Sequence, residues 1–273
     1  MSRKSNNYDY IIVGAGSAGC VLANRLTENP DTNVLLVEAG PADRDPMIRI
    51  PLLWMQFVNK KYYDWGYETQ PEPYMDNREI ECVRGKVLGG CSSINAMIYM
   101  RGQAHDYNHW AQLGNRGWSW DEVLPFFKKS EDYQHDQDEY HGKGGELKVQ
   151  ERRVDWEILD AWRDAAEECG IKKIKEFNRG DNSGNSYFQM NQQNGSRWSA
   201  TKAYLRPVIS RKNLTVLTRA HVEKIKIDVS NGIKTAKGVV ASIKDNPSKL
   251  FTANKEVILC AGSIGSPQIL QLS

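Results

Sequence analysis

Tyr8-Asp9-Tyr10-Ile11-Ile12-Val13-Gly14-Ala15-Gly16-Ser17-Ala18-Gly19-Cys20-Val21-Leu22-Ala23-Asn24-Arg25-Leu26 reads as a buried strand, a glycine turn and a helix. Tyr10 to Val13 form an apolar run too short for a helix and rich in β-branched side chains. The turn that follows is Gly14-x-Gly16-x-x-Gly19. In this spacing Gly14 allows a tight turn, Gly16 lets a diphosphate approach the backbone, and Gly19 lets the helix pack closely on the strand. The first helical N–H groups, around Ser17 and Ala18, then face an anion with a partial positive charge behind them.

Three glycines alone are weak evidence in a chain holding 22 of them, so the context has to carry the reading. A second strand, Asn33-Val34-Leu35-Leu36-Val37, ends in Glu38-Ala39-Gly40, about twenty residues past Gly19, where a ribose-binding acid belongs in this fold. An ordinary strand-end carboxylate is the plainer account of Glu38. A carboxylate there repels a 2′-phosphate, which disfavours NADP and leaves FAD or NAD.

With 40% hydrophobic and 26% charged residues in 273, the composition is that of a globular protein with a sizeable core. A net charge of +2 and no long run of like charge argue against nucleic acid as a partner. No apolar run reaches the length of a membrane span, and the N-terminus enters the first strand without a secretory segment, so a cytoplasmic location is expected. Five scattered cysteines, with no C-x-x-C spacing, fit reduced thiols and not disulfides or zinc.

Between Gly40 and Gln70 lie Trp54, Phe57, Tyr62, Tyr63, Trp65 and Tyr67 among three prolines. They suit core filling in an irregular connection, or a wall over a flat ligand ring. In Arg84-Gly85-Lys86-Val87-Leu88-Gly89-Gly90-Cys91-Ser92-Ser93-Ile94-Asn95-Ala96-Met97, adjacent glycines and small polar residues leave backbone N–H groups accessible. A tight turn into a buried helix explains that stretch equally well. His105 and His109 are four apart but lack a third ligand, so no metal site is assigned. The run from Ser130 to Asp138, with His135 and His141, reads most simply as a solvated loop, with part of a lid as the alternative. Leu147 to Val149 reads as a strand, and Asp155 to Cys169 as a helix whose Ile158, Leu159, Trp162, Ala165 and Ala166 face a sheet. Asn178 to Gly195 is polar enough for a loop, and its Tyr187, Phe188 and Met190 also suit a cover over a substrate pocket. Strands are predicted at 214–218, 222–227, 238–243 and 256–260, the last returning beside the first to bring Ala261 and Gly262 to the cofactor.

Taken together, the glycine turn, Glu38-Ala39-Gly40 and the block around Gly89-Gly90 resemble the GMC (glucose-methanol-choline) oxidoreductase family, in particular its choline and alcohol dehydrogenase branch. The resemblance continues through Gly117-Trp118-Ser119-Trp120-Asp121, Arg197-Trp198-Ser199-Ala200-Thr201-Lys202 and Ala261-Gly262-Ser263-Ile264-Gly265-Ser266-Pro267. It implies an α/β fold: a Rossmann-like FAD-binding domain at 1–145 and 211–273, with part of an antiparallel-sheet substrate domain at 146–210. It implies FAD bound by Gly14, Gly16, Ser17, Ala18, Gly19, Glu38, Ala39, Leu88, Gly89, Gly90, Asn95, Ala96, Met97, Val222, Ala261 and Gly262. Ile94 stands where some members carry a histidine joined to the cofactor, so the FAD is expected to be non-covalent.

The activity implied is oxidation of a primary alcohol to its aldehyde by hydride transfer to flavin, with a quinone or oxygen as electron acceptor. The chain stops at Ser273 inside a second signature, ahead of the segment where the family carries its catalytic base, so no catalytic residue is assigned. A non-catalytic FAD-binding fragment or subunit, a lyase or fatty-acid photodecarboxylase on the same scaffold, and an NAD enzyme stay open at this point.

Overall fold

A computed structural model of the chain describes residues 6–57, 63–244 and 246–273. Tyr62 and the first five residues, part of the expectations above, lie outside them. The first strand, β1 (Asn7–Val13), runs into α1 (Ser17–Leu26) and returns as β2 (Val34–Val37). Ile11, Ile12 and all four residues of β2 are buried, as strands covered on both faces must be. After a long excursion the chain adds β3 (Leu214–Leu217), β4 (Ala220–Ser230), β5 (Ile233–Ile243) and β6 (Lys249–Leu259), then α2 (Gly262–Gln271).

These strands form one sheet in the order β3-β2-β1-β6-β5-β4. The pairs β3–β2, β2–β1 and β1–β6 are parallel; β6–β5 and β5–β4 are antiparallel. The β4–β5 hairpin closes on Asn231-Gly232, both at positive φ, the turn that matches strand twist. A core of Ile11, Val13, Leu35, Val37, Val222, Val239 and Phe251 lies on one face of the sheet. β2 lies on one side of β1 and the late strand β6 on the other, so the loops leaving β1, β2 and β6 meet at one end of the sheet. That crevice is the switch point where ligands bind in such folds.

β6 departs from expectation. It begins earlier, at Lys249, and Val257, Ile258 and Leu259 are half-buried. Leu259, at its end, borders an open cavity described below.

The chain divides into two compact units, Met1–Asn95 with Ser199–Ser273, and Ala96–Trp198. The domain boundaries expected at 145/146 and 210/211 are therefore displaced. A cut at 145/146 would sever the parallel ladder that joins Glu131–Tyr133 to Leu147–Val149. The second unit holds helices Ala104–Gln112, Trp120–Ser130 and Glu157–Glu168, and short antiparallel ladders pairing Ile98–Tyr99 with Gln189–Met190 and Gln192–Gln193 with Ser196–Arg197.

Two further expectations fail in this unit. The run from Ser130 is not simply a solvated loop: Glu131 begins a strand and is fully buried, as is His141. The helix expected at 155–169 exists as Glu157–Glu168, yet Ile158 and Trp162 are 71% and 73% exposed. Amphipathic spacing shows that a helix has an apolar face, not that a sheet covers it.

Candidate functional site

The turn after β1 is held by close backbone contacts that only glycine permits. Gly14 sits at φ +98°, and a Cβ there would lie 2.5 Å from the Cys260 carbonyl oxygen at the end of β6. A Cβ on Gly19 would meet the Gly14 carbonyl oxygen. The Gly89-Gly90 segment closes against the same turn: Gly89 N donates to Ala15 O at 2.7 Å, and a Cβ on Gly90 would fall 2.9 Å from Gly16 Cα. Two glycine segments distant in sequence thus lie backbone against backbone.

Gly16 differs from its neighbours, because a Cβ there would meet nothing within 4 Å. It faces the mouth of a cavity of about 640 Å³, within the size range of small-molecule sites. Gly14, Gly16, Ser17, Ala18, Glu38, Ala39, Gly90, Val222, Ala261 and Gly262 all line this cavity, so most of the residues expected at the cofactor share one space. α1 starts there at Gly16 with no side-chain cap and no acid in its first turn. Its opening N–H groups are left for an anionic ligand.

The remaining expected residues stand elsewhere. Gly19 packs α1 on β1, and Gly89 and Leu88 support the turn from behind, Leu88 N donating to Pro41 O. Asn95 is exposed and does not line the cavity. Ala96 and Met97 belong to the second unit, where Met97 is buried at φ +63°. The side chain of Ile94 packs with Ile48, Phe57, Tyr63 and Val87.

Glu38 lines the cavity beside the glycine turn. Ala15 N donates to its Oε2 at 2.9 Å and Gly40 N to its Oε1 at 2.8 Å. Burial pushes its carboxyl up to about 7, against the opposing pull of those two N–H groups and of Lys86. Among the described residues, no cation contacts the carboxylate directly.

Sequence reading underweighted one wall. Trp65 and Tyr67 stack with centroids 5.8 Å apart and planes 2° apart, His221 tilts against Trp65 at 5.8 Å, and Lys86 Nζ lies 4.5 Å from the Trp65 ring. Trp65, Tyr67 and His221 line the cavity with Arg84, Gly85 and Cys91. Of the aromatics between Gly40 and Gln70, Phe57 and Tyr63 fill the core while Trp65 and Tyr67 line the cavity. His221 could have been noticed only as the neighbour of Val222. His105 and His109 sit on an exposed helix face, and no group of metal-ligating side chains occurs among the described residues.

Comparison with known proteins agrees with this geometry. The chain is 43% identical over 272 residues to the oxygen-dependent choline dehydrogenase of Photobacterium profundum, covering 98% of this chain and 47% of that protein. It is 41% identical to an alcohol dehydrogenase (acceptor) of Pseudomonas putida, covering 97% of this chain and 48% of that one. Among solved structures, an FAD-dependent oxidoreductase from Chaetomium thermophilum superposes with a TM-score of 0.89 at 33% identity, covering 98% of this chain and 47% of that chain. The chain thus spans about half the length of the curated relatives it matches. The pattern of one family, GMC oxidoreductase, matches residues 8–273. With that match spanning nearly the whole chain, and with its glycine turns joined around one cavity, this protein belongs to the GMC oxidoreductase family.

Proposed function

We propose that the cavity at the end of β1, β2 and β6 binds FAD without a covalent link, and that the chain serves the FAD-dependent oxidation of a primary alcohol to its aldehyde. The observation that carries this reading is the uncapped start of α1 facing open space at Gly16, with Glu38 lining the same cavity. The N–H groups of Ser17 and Ala18 would hold the diphosphate, and Glu38 would accept the ribose hydroxyls. The backbone of Val222 would meet the adenine, in the part of the cavity walled by Trp65 and His221. When bound, FAD supplies a ring able to take a hydride from the alcohol carbon. Gly90 would let that ligand lie close to the main chain. Ile94 carries no nucleophile, which supports a dissociable cofactor.

The names of the relatives support an alcohol such as choline as substrate; quinone and oxygen both remain as acceptors. Free thiols at all five cysteines, with no helix among the described residues long and apolar enough to cross a membrane, are compatible with the cytoplasmic placement we propose. A second reading follows from the half-length match: the chain binds FAD but turns over alcohol only with further polypeptide.

The test is titration of the purified chain with FAD, followed by flavin absorbance and fluorescence. Gly16→Val is the informative variant, because its side chain enters the cavity and not the fold. Its stability should fall by about 0.5–2 kcal/mol, the cost of a poorer helix cap, while FAD binding is lost. Binding unchanged in that variant would overturn the site. Bleaching of bound flavin by a primary alcohol separates the first reading from the second.

A further inference from the structure

The second unit buries a chain of charge that the cavity does not use. The two ring nitrogens of His141 each face a carboxylate: Nδ1 lies 3.1 Å from Glu131 Oε2, and Nε2 lies 2.9 Å from Glu176 Oε2. The other partners of those carboxylates are donors as well. Arg101 Nη2 and Gly142 N donate to Glu131, while Arg179 Nη1 and Gln189 Nε2 donate to Glu176. An ionised carboxylate only accepts, so both ring nitrogens must carry protons and His141 is an imidazolium. Tyr133 stacks on its face at 3.9 Å, a contact that favours a cation.

The charges facing this ring from its surroundings balance. Glu131 lies on the strand that also carries Tyr133, and it is paired with Arg101. Glu176 is paired with Arg179, which also binds Asp138, and Asp138 in turn accepts the His141 backbone N–H. Three cations alternate with three anions. Removing one proton from His141 leaves an uncompensated negative charge inside the unit, with a ring lone pair facing a carboxylate.

Both carboxylates are wired to one short segment. Glu131 holds the guanidinium of Arg101. Glu176 holds the amide of Gln189, whose Oε1 accepts from Asn178; Asn178 in turn accepts from Arg101 N at 2.7 Å and donates to Tyr99 O. Ile98 and Tyr99 pair with Met190 and Gln189, and Asn191 N donates to Met97 O. Met97 is a buried non-glycine residue at positive φ, a conformation that persists only where its surroundings impose it.

We propose that His141 is a positioning residue: as an imidazolium clamped between Glu131 and Glu176 it fixes the Met97–Arg101 segment, and its deprotonation releases that segment. This segment and the groups that hold it all lie in the second unit. The opposing effects on the ring fit the geometry. Burial alone would lower its basicity, but the bonds and charges of Glu131 and Glu176 prevail and raise it to about 9.

The experiment uses the whole chain without added cofactor. Ring nitrogen shifts of histidine, assigned with the His141→Gln variant, are followed by NMR from about pH 6 to pH 10, together with amide exchange protection corrected for base catalysis. His141 should keep both N–H protons past neutrality, and protection at Ile98 to Arg101 should fall at least about tenfold as it titrates. In His141→Gln that pH step should vanish. If this variant does not fold, the wild-type titration decides alone. A ring that titrates near its ordinary value, or protection unchanged through its titration, would overturn the proposal.

Discussion

Glu38 and Glu176 are almost equally hidden from water, 6% and 5% exposed, yet their acidities move in opposite directions. Burial drives both carboxyls up. At Glu38 two backbone N–H groups and Lys86 only partly offset it, and the group rests at about 7. At Glu176 bonds from His141 and Arg179 overcome the burial penalty and take the group down to about 2. A buried carboxylate surrounded by cations is committed to structure, whereas one that meets only backbone donors beside an open cavity keeps capacity for a ligand.

Removing the central cation should break this contrast most severely. His141→Ala leaves Glu131 and Glu176 facing each other, and stability measured by urea unfolding should drop by about 3–5 kcal/mol. A loss below about 1 kcal/mol would mean that the ring does not act as the cation joining the two carboxylates.

Changing pH tests both sites in one protein. The folded value of His141 lies above its ordinary 6.5, so its contribution is complete below 6.5 and disappears as pH rises through about 9. At about 1.4 kcal/mol per pH unit, that is on the order of 3 kcal/mol. Glu176 behaves in the opposite sense: its contribution is present above 4.5 and is lost as pH falls through about 2. Glu38, with a raised value, favours the folded state while protonated and costs stability as pH rises from 4.5 through about 7. Unfolding midpoints should therefore be highest on the acid side of neutrality and decline toward pH 9. A flat profile would contradict both assignments.

The mildest perturbation concerns the ligand. Glu38→Ala takes the acceptor from Ala15 N and Gly40 N, at a stability cost of about 1–3 kcal/mol, and should weaken FAD about ten- to a hundredfold. Fluorescence titration reads that change, and full affinity in the variant would remove Glu38 from the site.

These two regions were unequally legible in the sequence. The turn at Gly14 and the acid at Glu38 are fixed by local rules: a backbone that tolerates no Cβ, and one strand–helix–strand repeat of known length. The return of β6 beside β1 was likewise readable, because an apolar β-branched strand followed by Ala261-Gly262 has few places to go. The His141 cluster obeys no such rule. Its members come from positions 101, 131, 141, 176 and 179, with no periodicity, and charged side chains in a polar stretch look the same whether they meet water or one another. Ile158 and Trp162 show the converse failure, since spacing marks an apolar face without revealing whether anything packs on it. The Trp65–His221 contact joins residues too distant in sequence for either to hint at the other.

Cys91 gives the molecule a reporter of its own. Its exposed thiol stands in the cavity wall next to Gly90 and accepts a bond from Gly85 N. Alkylating reagents should reach it readily when the cavity is open and slowly once a nucleotide fills it. Cys169, exposed in the other unit, provides an internal standard that reacts regardless, while Cys20, enclosed beneath the glycine turn with its thiol pushed up to about 12, should remain silent. Occupancy can thus be counted by mass spectrometry on the unaltered protein, with no engineered label.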